Sequence, residues 1–161
     1  MIRKLIAVLV IGFVLVAAAV LYFYEPPGKG PEFPKAELDV LRADGTSIHY
    51  HVEVATTLEQ EMFGLMFRKY MPQDHGMIFI YNPPQQVSMW MKDTYIPLDM
   101  LYVRADGTIE KIITEAQPLN YTPLSSDEPV HGVIELNAGE VAREGLKKGD
   151  KIVFPGFGQN P

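Results

Sequence analysis

From residue 37 to residue 154 the chain is cut into short apolar segments by turn dipeptides. This punctuation limits the folds open to it more than any other feature. Asp44-Gly45, Asn82-Pro83-Pro84, Asp106-Gly107 and Gly149-Asp150 each stop a run before a long helix can form. Residues 47–55 (SIHYHVEVA) alternate strictly. Ile48, Tyr50, Val52 and Val54 are expected to face a core, and His49, His51 and Glu53 to face solvent. With residues 37–42 they read as a β-hairpin. Further strands are predicted at 76–81, 87–92, 98–104, 108–115, 130–136 and 151–154, with a polar loop at 117–129. Thr57 followed by Gln60 fits a capping box, and Leu58, Met62, Leu65 and Met66 predict an apolar helix face running to Arg68. A short helix is predicted at 138–146, capped by Asn137. The fold class that follows is mainly β, a sandwich or closed β architecture with one or two short helices.

Upstream of this domain lies an apolar run without charge, residues 5–24, preceded by Arg3 and Lys4. A stretch of about twenty apolar residues is long enough to cross a bilayer as a helix. Residues 1–24 are therefore expected to be an N-terminal transmembrane anchor, with Arg3 and Lys4 cytoplasmic, or a signal peptide cleaved near Ala17-Ala18-Ala19. The Pro/Gly-rich residues 25–35 read as a linker, and 36–157 as a single β-rich domain. Either reading makes that domain extracytoplasmic: membrane-anchored, or secreted or periplasmic if cleaved.

The chain of 161 residues has no cysteine, which excludes disulfides, thiolate zinc sites and cysteine nucleophiles. Its net charge is −6, and no basic run interrupts the β-rich part, so nucleic acid is not an expected partner.

Three blocks, GLMFRKYMPQDHGMIFIY, SMWMKDTYIPLDMLYV and VIELNAGEVAREGLKKGDKIVF, resemble the family called domain of unknown function 192, in the expected order and over residues 35–154. The resemblance implies a small exported or membrane-tethered prokaryotic protein with a jelly-roll-like β-sandwich and one helix. It implies no established activity, and no cofactor is expected. Where the family pattern has asparagine after the lysine of the tryptophan block, this chain has Asp93, which keeps a turn-forming acceptor and loses the amide donors.

The candidate site centres on the lone tryptophan. Strand alternation puts Met89 and Met91 on one face and Ser88, Trp90 and Lys92 on the other. One reading is purely architectural, with the methionines in the core and Asp93 and Asp99 capping turns. A sharper reading makes Trp90 the platform of a non-catalytic small-ligand site, with a saccharide as the candidate ligand, rimmed by Lys92, Asp93, Asp99, Arg68 and His75. Arg68 and His75 reach that rim if strands 76–81 and 87–92 pair as a hairpin. An alternative is Cu(I) or soft-metal binding by Met89, Met91 and His75. His49 and His51 share a strand face but suggest no third ligand. Ser88 or Ser125-Ser126 in a serine triad, and Asp93 with Asp99 as a glycosidase pair, are enzyme readings without a supporting motif.

Overall fold

The structure is a computed structural model that describes residues 30–158. The expected anchor at 1–24 and the start of the linker lie outside the described residues. Among the described residues no helix is long and apolar enough to cross a membrane. Residues 31–158 form a compact unit by themselves.

The strands are β1 (Lys35–Leu41), β2 (Ser47–Ala55), β3 (His75–Gln85), β4 (Ser88–Met89), β5 (Leu98–Val103), β6 (Ile109–Ala116), β7 (Leu124–Ser125), β8 (Val130–Asn137) and β9 (Lys151–Val153). Two short helices, α1 (Leu58–Phe63) and α2 (Glu140–Glu144), complete the mainly β fold. Seven strands form one sheet in the order β6-β5-β8-β3-β2-β1-β9, and β4 and β7 make a separate ribbon. Register shifts in the β5–β6 and β3–β8 pairs add local twist and bend the strands. The sheet curls into a half-barrel, and a single bridge between Thr108 and Lys151 links its two edges at one end.

The inner face of the sheet is apolar throughout, and the outer face is apolar over β3, β8 and β5. One cluster draws residues from all seven strands, including Leu38, Tyr50, Ile78, Leu101, Ile109 and Ile152, and fills the inside of the curl. The second lies on the opposite face of β3, β8 and β5, where Met77, Phe79, Met100 and Tyr102 pack under Leu65, Met71, Met89, Met91 and Ile96. Residues directly opposite in a ladder point to the same face. The registers Ile78–Ile134–Leu101 and Met77–Glu135–Met100 therefore separate the two clusters by one residue. Close packing of β3 on β8 depends on Gly76: a Cβ there would stand 2.7 Å from the Glu135 carbonyl oxygen and 2.8 Å from a Leu136 methyl.

The β1–β2 hairpin forms as expected, with Arg42 N–H donating to Thr46 O at 2.9 Å across its turn. Three expectations need correction. Strand β3 does not pair with 87–92; it pairs in parallel with β2 and antiparallel with β8. The tryptophan segment is instead held by residues 119–126. Val87 N–H donates to Ser126 Oγ at 3.0 Å, and Met91 N–H to Asn120 O at 2.9 Å. Both edges of β3 are already paired, one with β2 and one with β8, so no edge is left for a hairpin partner.

The second correction concerns α1. Its capping box forms, with Thr57 N–H donating to Gln60 Oε1 at 3.2 Å and Gln60 N–H to Thr57 Oγ1 at 3.3 Å. The helix stops at Phe63, however, because Gly64 takes a positive φ of 48°. The apolar stripe is therefore broken: Leu65 turns inward, while Leu58 and Met62 stay exposed. Third, Asn137 does not cap α2. Its amide donates to Met71 O at 3.1 Å and Pro72 O at 2.9 Å, and the residue that receives the helix is Asp99.

Candidate functional site

The cleft lies on the outer face, between α1 and the tryptophan segment. It encloses about 280 Å³, near the lower end of the range for small-molecule sites. One wall is Leu58, Met62 and Met66 from α1 and the turn after it; the other is Trp90 and Lys92; Phe79, Tyr81 and Glu135 form the floor. Alternation survives along 87–91 although the regular strand is only two residues long. Val87, Met89 and Met91 are buried, and Trp90 remains 43% exposed. The Lys92 ammonium sits over the Trp90 ring, 5.5 Å from its centroid, a cation–π contact.

The floor contains the residue that sequence reasoning missed. Glu135 lies in the middle of β8, between Met77 on β3 and Met100 on β5, both fully buried. Its side chain is 4% exposed, and it makes no hydrogen bond or ion pair with any described residue. Burial pushes its carboxyl up to about 8, so it is protonated at neutral pH. Burial likewise pushes the Tyr81 and Tyr102 phenols up, with the nearby carboxyls adding to the shift, and raises Glu61 at the cavity's side. Glu135 and Tyr81 thus present neutral polar groups to the cavity at pH 7, with the Glu61 carboxyl at its side and the Lys92 charge at its mouth. The signal for Glu135 was present in VHGVIELN: an acid inside a strand that is apolar on both faces.

The expected rim is only partly brought together. Trp90 and Lys92 share the cleft. Asp93 lies at its turn, with a left-handed φ of 51° and its carbonyl accepting from Phe67 N–H at 2.7 Å. Asparagine and aspartate tolerate that conformation best after glycine, so the turn accommodates the departure from the family pattern. Asp99 is not at the rim. It is fully buried, and its two carboxylate oxygens accept from Glu115 N–H and Val141 N–H, each at 2.9 Å. Arg68 and His75 line a different groove, of about 360 Å³, where Arg68 forms a two-pronged ion pair with Glu53.

The methionine set is also separated. Met89 and Met91 belong to the outer core, and Met89 sulfur accepts from Tyr81 O–H at 3.6 Å, whereas His75 stands on the other groove. Packing accounts for both sulfurs. No histidine lines the Trp90 cleft, and Ser88 Oγ is 3.0 Å from Ser125 Oγ, so the serine-triad arrangement is not assembled there.

A small β-rich domain with an aromatic-walled, acid-floored cleft on the outside of a curled sheet is the class of protein that this geometry defines. Residues 40–154 match domain of unknown function 192, described as an uncharacterized ACR, and the chain belongs to that family. Two crystal structures are similar. One, from Sinorhizobium meliloti 1021 and described as a "putative transcription regulator", is 40% identical over 80% of this chain and 100% of that one, with a TM-score of 0.78. The other, a protein of unknown function from Novosphingobium aromaticivorans DSM 12444, is 34% identical over 79% of this chain and 94% of that one, with a TM-score of 0.72. No curated protein matches the chain.

Proposed function

We propose that the protein is a non-catalytic binding domain that takes a small, uncharged, hydroxyl-bearing ligand with one apolar face in the Trp90 cleft, a monosaccharide being the class that fits. One observation carries this reading: the Glu135 carboxyl, which burial shifts toward its neutral form, makes no hydrogen bond to any other described residue, and it opens into a cavity walled by a half-exposed tryptophan. Buried polar groups are nearly always hydrogen-bonded, to protein or to ordered water, and the Glu135 carboxyl reaches such a partner only through the cavity it lines. A hydroxyl of an occupant supplies the missing bond, and the ring face of Trp90 supports the occupant's C–H face. A neutral floor suits a neutral ligand. The family relative's description as a regulator does not lead to duplex nucleic acid here, because a chain of net charge −6 lacks the basic face that phosphates need. The domain is further proposed to work outside the cytoplasm, tethered or exported by residues 1–24.

Trp90 is the only tryptophan, so its emission reports directly on the cleft. Titration with hexoses and their methyl glycosides should shift or quench it in a saturable manner, and Trp90→Ala should remove binding, measured by calorimetry, while the protein stays folded. No response at concentrations well above about 1 mM, where a site worth only about 4 kcal/mol is already filled, refutes the reading.

A further inference from the structure

We infer that the exposed face of β1 and β2 carries a divalent-cation site of zinc type, ligated by Glu37, His49 and His51. Of the four histidines in the chain, three stand side by side on β2 and β3. The register pairs Glu37 with His51 and Asp39 with His49 across the hairpin, so all four side chains project from the same face. The third ligand that the His-x-His spacing lacked is thus supplied by the neighbouring strand.

The donor atoms converge. His49 Nε2 and His51 Nδ1 approach the same Glu37 carboxylate oxygen, at 2.8 and 2.7 Å. The three donor atoms lie within 4.8 Å of one another. Tetrahedral ligands at about 2.1 Å from a Zn²⁺ ion stand about 3.4 Å apart, so small side-chain rotations are enough to admit the ion. Two imidazoles and a carboxylate are a borderline-soft donor set, suited to Zn²⁺ rather than to Ca²⁺ or Mg²⁺.

A second feature distinguishes this group from a chance charge cluster. Each histidine has a further carboxylate at its other ring nitrogen: Asp39 at 2.8 Å from His49 Nδ1, and Asp74 at 3.9 Å from His51 Nε2. A carboxylate in that place accepts the remaining N–H and leaves the lone pair of the opposite nitrogen directed at the metal. The Asp39 contact is a full hydrogen bond; the Asp74 contact is looser. His75, whose ring is 5.2 Å from His51, is engaged by Asp74 at 2.8 Å and is not among the converging donors. Glu37 and His51 also line the Arg68 groove, so the site adjoins an opening through which a further ligand can reach the ion.

The test uses the full, untagged chain, stripped with chelator and titrated calorimetrically with ZnCl₂. About one equivalent should bind. Glu37→Ala, His49→Ala and His51→Ala should each weaken binding at least about tenfold, and Asp39→Asn about tenfold through the orientation of His49, while His75→Ala leaves the affinity nearly unchanged. All these side chains are exposed, so circular dichroism should show the fold intact in each variant. Absence of saturable uptake, or uptake that survives in the His49→Ala/His51→Ala double variant, overturns the inference and leaves a hydrogen-bonded surface cluster only.

Discussion

Glu135→Gln should change the pH dependence of stability in a way no surface substitution can. In the folded protein the Glu135 carboxyl titrates at about 8; exposed in the unfolded chain, it returns to the ordinary carboxylate value of 4.5. The folded state therefore holds the proton more tightly. Its contribution is fully present below about pH 4.5 and is lost as pH rises toward 8, where the buried group must ionise without a partner. Each unit of difference is worth 1.36 kcal/mol, so the wild type loses about 3 kcal/mol between acid and pH 7, and about 5 kcal/mol by pH 8.5. Glutamine is neutral throughout. Its amide is as unpartnered as the acid, which gives a constant offset but no slope. Urea unfolding of the two proteins at pH 5, 7 and 8.5 isolates the group, because every other titration cancels in the difference. The variant should gain on the wild type by several kcal/mol across that range. A difference that stays flat within about 0.5 kcal/mol would show that Glu135 finds a charge partner or water in the folded protein, and the neutral floor of the cleft would be wrong.

Two further substitutions probe the frame around the site. Asp99→Ala leaves Glu115 N–H and Val141 N–H without their carboxylate acceptor in a fully buried position, and should lower stability by about 3–5 kcal/mol in chemical unfolding, more than a surface aspartate could. Gly76→Ala places a methyl against the Glu135 carbonyl and Leu136, forces β3 from β8, and should destabilise by about 1–3 kcal/mol with weakened tryptophan response to ligand; an unchanged melting temperature would show that the strands yield freely.

Much of the domain was legible along the chain because it depends on neighbours. The 37–55 hairpin is encoded by alternation around Asp44-Gly45, and the Thr57 capping box closes within four residues. The split between buried Met89 and Met91 and exposed Trp90 follows from the period of an extended backbone, whichever strand lies beside it. Family membership was legible for the same reason: its blocks are contiguous.

What the linear sequence left open is long-range pairing. Strands of similar pattern are interchangeable until the whole sheet is assembled. Thus β3 takes β2 and β8 as partners, and the tryptophan segment goes to residues 119–126. That choice sends Arg68 and His75 to another groove and puts Glu135, 45 positions beyond Trp90, beneath the cleft. Asp99 and Asn137 have the same turn-forming chemistry, and only their position in three dimensions made one the cap of α2 and the other a clasp on Met71 and Pro72. Local backbone sterics and side-chain period suffice to define each strand and its faces; the occupants of a cleft between strands come from distant parts of the chain, and only the packing of the complete sheet selects them.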